Sequence, residues 1–131
     1  MTTIRDCIAP DRNPKVPSIK LPEGSIDTHV HIFESQYPLF EGRGYNPPDS
    51  TLDDLKHLHS QLGVSRVVYT QPSPYGVDNS AILKGMKVMN DETTGRARGV
   101  CAIKMDVSDD FLEDLDKQGI KGVRLNMDNI G

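Results

Sequence analysis

Apolar and polar positions along the chain switch between two periods, and the switches lay out alternating strands and helices. Residues 25–33 (SIDTHVHIF) alternate strictly: Ile26, Thr28, Val30 and Ile32 fall on one side, and Asp27, His29, His31 and Phe33 on the other, as in a strand. Residues 34–49 are rich in Gly, Pro and Tyr and read as a long loop. Ser50 or Thr51 then caps a helix whose Leu52, Leu55, Leu58 and Leu62 recur on one face, and Gly63 stops it. Residues 66–71 (RVVYTQ) are short, β-branched and apolar, the pattern of a strand covered on both faces. After a loop at 72–77, Asp78, Asn79 and Ser80 cap a second helix, with Ile82, Leu83, Met86 and either Val88 or Met89 inward. Residues 98–104 form a third strand. Ser108 caps a third helix that turns Phe111, Leu112 and Leu115 to the core and ends at Gly119, and residues 120–127 form a fourth strand.

Strict alternation of strand and helix specifies parallel strands joined by crossovers, so the fold class is α/β. The loops after the first two strands are long, and they follow strand C-terminal ends, where parallel α/β proteins place their ligand sites. Residues 1–24 stand apart. Pro10, Pro14, Pro17 and Pro22 remove backbone donors and restrain their predecessors, which predicts an extended arm outside the core of a domain spanning 25–131.

The charge balance narrows the function. With 15 Lys and Arg against 19 Asp and Glu, a net charge of −4 and scattered basic residues, the chain lacks the basic patch that phosphate neutralisation needs, which argues against a nucleic-acid partner. Cys7 and Cys101 have no Cys-x-x-Cys spacing and read as reduced thiols, Cys101 as a small core residue. No segment approaches the roughly 18 apolar residues of a membrane span and the N-terminus has no signal-peptide pattern, so a cytoplasmic protein without a membrane partner is expected.

The sharpest candidate chemistry is His29-Val30-His31. Residues i and i+2 of a strand share a face, so both imidazoles can converge on one ion or one carbonyl. His57 and His59 have the same spacing but lie on a helix, about 200° apart, and read as a surface and a flank residue. At the end of the second strand Ser73 and Tyr75 offer hydroxyls to a ligand, while Asp78 and Asn79 read as helix caps and Gly76 as a turn. Ser73 lacks the Gly-x-Ser-x-Gly elbow of a nucleophile. Arg124 and Asn126 share a face of the fourth strand, and the Arg124 charge calls for an anion: a substrate carboxylate, or an internal Asp such as Asp27. Tyr45, in the first long loop, is placed to close over a ligand. Asp106 and Asp128, after the third and fourth strands, read as exposed caps rather than metal ligands.

Taken together and in order, PEGSIDTHVHIF at 22–33, Tyr37-Pro38, Tyr45-Asn46-Pro47, Leu62-Gly63-Val64, Gln71 with Gly76-x-Asp78-Asn79, Arg98-Gly99-Val100 and Gly122-Val123-Arg124-Leu125-Asn126 resemble the amidohydrolase-related family. The nearest branch is that of the 2-pyrone-4,6-dicarboxylate lactonases and related sugar-lactone and muconolactone hydrolases. The resemblance covers about residues 17–131. It implies a distorted TIM barrel whose first strand ends in His-x-His. In metal-dependent members those histidines join later histidines and an aspartate around a divalent ion, usually zinc; in the pyrone lactonase branch they polarise the lactone carbonyl without metal. On that pattern His29 and His31 are the catalytic or metal-binding pair, Arg124 binds a carboxylate, and Tyr45, Ser73, Tyr75 and Asn126 line the substrate pocket.

A full barrel takes eight strand–helix units and about 250 residues, and four are present, so the resemblance is to the N-terminal half of one, truncated. The later histidines and the aspartate base lie outside the motifs, and residues 126–131 lack the second arginine of the pyrone lactonases. Two readings follow: the N-terminal half of a hydrolase that opens a carboxylated lactone, or a non-catalytic half-barrel that retains a pocket, binds a metal or dimerises. Open sheet edges favour association, so a homo-oligomer is a possible partner state.

Overall fold

The computed structural model of the protein describes residues 4–125. In chain order the elements are β1 (Arg5–Asp6), β2 (Ile26–Val30), β3 (Tyr45–Asn46), α1 (Leu52–Leu62), β4 (Arg66–Thr70), a 3-10 turn (Ser73–Tyr75), α2 (Ser80–Glu92), β5 (Ala97–Cys101), α3 (Asp109–Lys117) and β6 (Ile120–Val123). β2, β4, β5 and β6 form one sheet in that order, every pair parallel, with a helix in each connection. This is the α/β alternation that the periodicity predicts.

Local chemistry starts and stops the helices where the sequence places the signals. Thr51 caps α1 in a reciprocal box: its hydroxyl accepts from the Asp54 N–H at 3.2 Å, and the Asp54 carboxylate accepts from the Thr51 N–H at 3.0 Å. Gly63 ends α1 at φ 77°, a conformation costly for any residue with a Cβ, and its N–H closes on the His59 carbonyl. Ser108 caps α3 through the Phe111 N–H.

Two asparagines fix α2 along β5. Near the helix start, Asn79 accepts from the Ala102 N–H at 3.0 Å and donates to the Ala102 carbonyl at 2.8 Å. Near its end, Asn90 makes the same pair of bonds to Ala97, at 2.9 and 3.1 Å. Each amide thus satisfies both backbone groups of one residue at either end of β5, which leaves α2 antiparallel to the strand and pinned at both ends. Asn79 occupies the cap position of α2, yet its side chain makes no cap bond. The Asp78 carboxylate instead accepts from the Ser80 N–H and hydroxyl.

The core lies between the sheet and the helices. Val30, Ile32, Val67, Tyr69, Ile82, Met86, Met89, Cys101 and Ile120 are buried there, and Tyr69 donates its hydroxyl to the Met89 sulfur at 2.9 Å. Met89, rather than Val88, is the buried member of that pair of α2 positions. Packing is tightest around Gly99, where a Cβ would lie 2.5 Å from the Met86 Sδ and 2.6 Å from the Ile120 Cδ1. Only glycine lets β5 pass beneath α2 this closely.

The structure corrects three expectations. First, the alternation of residues 25–33 breaks: Asp27 pairs with Val67 and Val30 with Tyr69, so three steps of β2 face two of β4. This irregularity leaves Ile26 and Thr28 exposed while Val30 and Ile32 are buried, and β2 ends at Val30, with Phe33 bridging Ser50. Second, α3 turns only Leu115 fully inward; Phe111 and Leu112 are 44% and 37% exposed, because α3 packs on β6 at the edge of the sheet. Third, β5 runs Ala97–Cys101 rather than 98–104, and β6 stops at Val123, residues 126–127 lying outside the described residues. The proline-rich arm is exposed over most of its described length, and it is held at two points: β1 pairs in parallel with β3, and Arg12 bonds Asp54 at 3.0 Å.

Candidate functional site

The site forms where β2, β4 and the segment after β6 reach their C-terminal ends. His29 and His31 lie edge to face with ring centroids 5.0 Å apart, so the two rings stand side by side at the end of β2. His31 Nδ1 sits 2.7 Å from the Thr70 carbonyl oxygen at the end of β4. A carbonyl only accepts, so the proton is on Nδ1 and the free nitrogen of the neutral ring, Nε2, carries a lone pair. Burial holds His31 below the ordinary imidazole value; the Thr70 bond opposes that shift, and the nearby His29 and Arg124 reinforce it.

Arg124 arrives from the other side. Its Nη1 donates to the Gln71 carbonyl at 3.0 Å, while its own N–H bonds the Cys101 carbonyl at 2.7 Å and extends the β6 ladder by one residue. Successive carbonyls of a strand point to opposite neighbours. The last carbonyls of the β4 run, Thr70 and Gln71, therefore hold His31 from one flank and Arg124 from the other. Arg124 thus finds a carbonyl rather than Asp27, and its charge stands close enough to act on both His31 and Tyr45.

Tyr45 belongs to the same cluster. Burial pushes its phenol up, and the nearby Ser73 side chain and the Arg124 charge act against that shift. Its ring stands edge-on to Phe33 at 6.4 Å, and Phe33 packs against His31 at 6.1 Å. His29, His31, Tyr45, Ser73 and Arg124 are thereby brought together. Tyr75 is placed differently: it is 3% exposed, and its hydroxyl accepts from the Glu34 N–H at 3.0 Å, under the loop that follows β2. Asn126 and Asp128 lie outside the described residues.

Two features escaped the sequence reading. Gln71 is buried, and its Nε2 donates to the Gly76 and Asp78 carbonyls at 3.1 and 2.7 Å, which folds the loop after β4 back over the strand end. A polar side chain closing an apolar strand was the available signal. His59, expected as a flank residue, is 1% exposed and lies 3.2 Å from the Asp27 carboxylate. The helix period places His59 one turn after the inward Leu55, so its burial was legible once both were counted on one face.

Catalytic zinc takes three protein ligands and keeps one position open. Among the described residues, two imidazoles converge and no cluster of three His, Cys, Asp or Glu does. These residues alone do not make such a centre.

Parallel β/α units bring a histidine pair, an arginine and a tyrosine to the strand ends, and comparison with known proteins gives the chain a family. The amidohydrolase family model matches residues 26–131, and the chain belongs to that family. It is 37% identical over 116 residues to the 2-pyrone-4,6-dicarboxylate hydrolase of Comamonas testosteroni, covering 87% of this chain and 37% of that protein. It is 34% identical over 120 residues to the 4-sulfomuconolactone hydrolase of Hydrogenophaga intermedia, covering 90% of this chain and 38% of that one. The crystal structure of a probable 2-pyrone-4,6-dicarboxylic acid hydrolase from Acinetobacter baumannii, with citric acid bound, superposes with a TM-score of 0.72 at 31% identity, over 79% of this chain and 38% of that one. The chain therefore carries the leading units of an amidohydrolase barrel and spans under two fifths of the length of these relatives.

Proposed function

We propose that the chain supplies the first four units of an active site that hydrolyses a carboxylated lactone. The observation that carries this is the shared end of β4, whose carbonyls bring His31 and the Arg124 guanidinium to one mouth beside His29. The related hydrolases support the substrate class, since the names of two of them specify lactone-type rings bearing acid groups.

In this reading Arg124 binds the substrate carboxylate as a fixed cation, with Tyr45 and Ser73 beside it. His29 is the member of the pair that can donate to the lactone carbonyl, while His31, whose Nε2 carries a lone pair, would serve as a ligand to a divalent ion able to polarise that carbonyl. Water adds to the carbonyl carbon, the ring C–O bond breaks, and the ring oxygen leaves as a hydroxyl that takes up a proton. The product is an open-chain acid. The base that activates water comes from beyond these four units, as would the further ligands of any divalent ion.

The test begins with the intact mass of the product made from the native gene, followed by hydrolysis assays on that product with a pyrone dicarboxylate and with an uncarboxylated lactone of the same ring size. Faster opening of the carboxylated ring is expected, with Arg124→Ala raising KM far more than it lowers kcat. His29→Ala and His31→Ala are expected to lower kcat by about a hundredfold or more. Equal rates on the two lactones overturn the substrate class. Binding of the lactone without turnover establishes a binding domain in place of an enzyme.

A further inference from the structure

The Asp27 carboxylate spans two elements. One oxygen, Oδ1, accepts the His29 backbone N–H at 3.2 Å; the other, Oδ2, faces His59 Nε2 at 3.2 Å. His59 lies in the last full turn of α1 and is 1% exposed, while the Asp27 side chain is one third exposed. The irregular pairing of β2 falls between Asp27 and Val30, so the carboxylate sits where the strand steps out of register.

We propose that Asp27 and His59 are positioning residues for the His29–His31 pair, a link from helix to strand that sets the face on which the two imidazoles emerge. In a regular strand Asp27, His29 and His31 would share a face. Here Asp27 turns to the α1 side, while His31 faces the Thr70 carbonyl and the Arg124 charge. The extra residue makes this reversal possible, and the carboxylate holds it by bonding the His29 N–H two residues on. The His59 ring donates Nε2–H to the carboxylate, which can only accept. Its Nδ1 is buried with no hydrogen-bond partner among the described residues, which fits the tautomer that leaves a bare lone pair there rather than an N–H. A histidine buried at that cost, with its one bond directed at the strand of the candidate pair, is explained by what it holds.

This inference rests on reading His29 and His31 as the reactive pair, but its test reads their geometry and not turnover. The chain is labelled with 15N and with 13C-histidine, and wild type, His59→Leu, His59→Gln and Asp27→Ala are compared by NMR. In His59→Leu the ring signals of His29 and His31 are expected to move, and the His29 amide to exchange about tenfold faster relative to the Tyr69 and Ala97 amides, which report opening of the sheet. His59→Gln, whose Nε2 can reach the same carboxylate, restores both. A folded His59→Leu with wild-type ring signals and His29 exchange overturns the proposal, and so does His59→Gln behaving like His59→Leu. If His59→Leu fails to fold, Asp27→Ala, at a partly exposed position, must show the same local changes against unchanged Tyr69 and Ala97 exchange, and their absence overturns it. Loss of the lactone reading leaves these signals untouched, so the two ideas fail separately.

Discussion

Asn79→Ala is the perturbation whose cost follows most directly from the structure. Asn79 is 7% exposed and bonds the Ala102 N–H and carbonyl at 3.0 and 2.8 Å and the Val77 carbonyl at 3.2 Å. Truncation leaves both Ala102 groups without their partner, at about 1–3 kcal/mol for a buried group left unmade, and solvent reaching the half-buried Ala102 relieves part of it. We expect a net loss of about 2–3 kcal/mol. Asn90→Ala removes the matching bonds to the fully buried Ala97, but sits inside α2, where alanine regains about 0.5 kcal/mol of helix propensity, so about 1.5–2.5 kcal/mol is expected there. The clasps stand at opposite ends of β5, roughly 16 Å apart at the rise of a strand, and their costs should add to within about 0.5 kcal/mol. Urea denaturation followed by circular dichroism measures this, a loss of 2 kcal/mol moving the midpoint by about 1 M. The discriminating variant is Asn79→Asp. Aspartate caps a helix as well as asparagine but would set a carboxylate oxygen against the Ala102 carbonyl. Near-wild-type stability for Asn79→Asp would falsify the clasp and reduce Asn79 to an ordinary cap.

Further outcomes are expected from the same structure. Thr51→Ala should cost about 1 kcal/mol in urea, because it removes one arm of the capping box, and Thr51→Ser should recover most of it. Gly99→Ala should destabilise by about 1–3 kcal/mol, since its Cβ meets Met86 and Ile120 well inside contact distance; a neutral result would show that α2 lifts freely from β5. His31 is held below the ordinary imidazole value, so its contribution to stability is complete above about pH 6.5 and is lost as pH falls through the folded value. Wild type should therefore lose more stability than His31→Gln between pH 7 and pH 5, and equal losses would remove His31 from the acid transition. Tyr69 is shifted the opposite way by burial, so its contribution holds below about pH 10 and is lost above, a loss that Tyr69→Phe should abolish in alkaline urea titrations.

While it left the α1 cap between Ser50 and Thr51 and did not show β1 and β3, the sequence by itself determined the order of the four sheet strands and the three α-helices between them, their parallel arrangement, the signals at Gly63 and Ser108, and the shared neighbourhood of His29 and His31. Each is a local property: period, cap chemistry and i, i+2 spacing act over a few residues, and the chain states them directly. The family motifs were legible for the same reason, as short runs around strand ends. Tertiary structure decided where three polar side chains went. Asp27 was offered as a partner for Arg124 and instead binds His59, because one extra residue in β2 turns it toward α1. Asn79 read as a cap and became a clasp on Ala102, and Arg124 found the Gln71 carbonyl across β5. Those partners are 23 to 53 positions apart in the chain. Which donor meets which acceptor over such distances depends on strand register and on where each ladder ends, and neither is encoded in the local pattern of hydrophobic and polar positions.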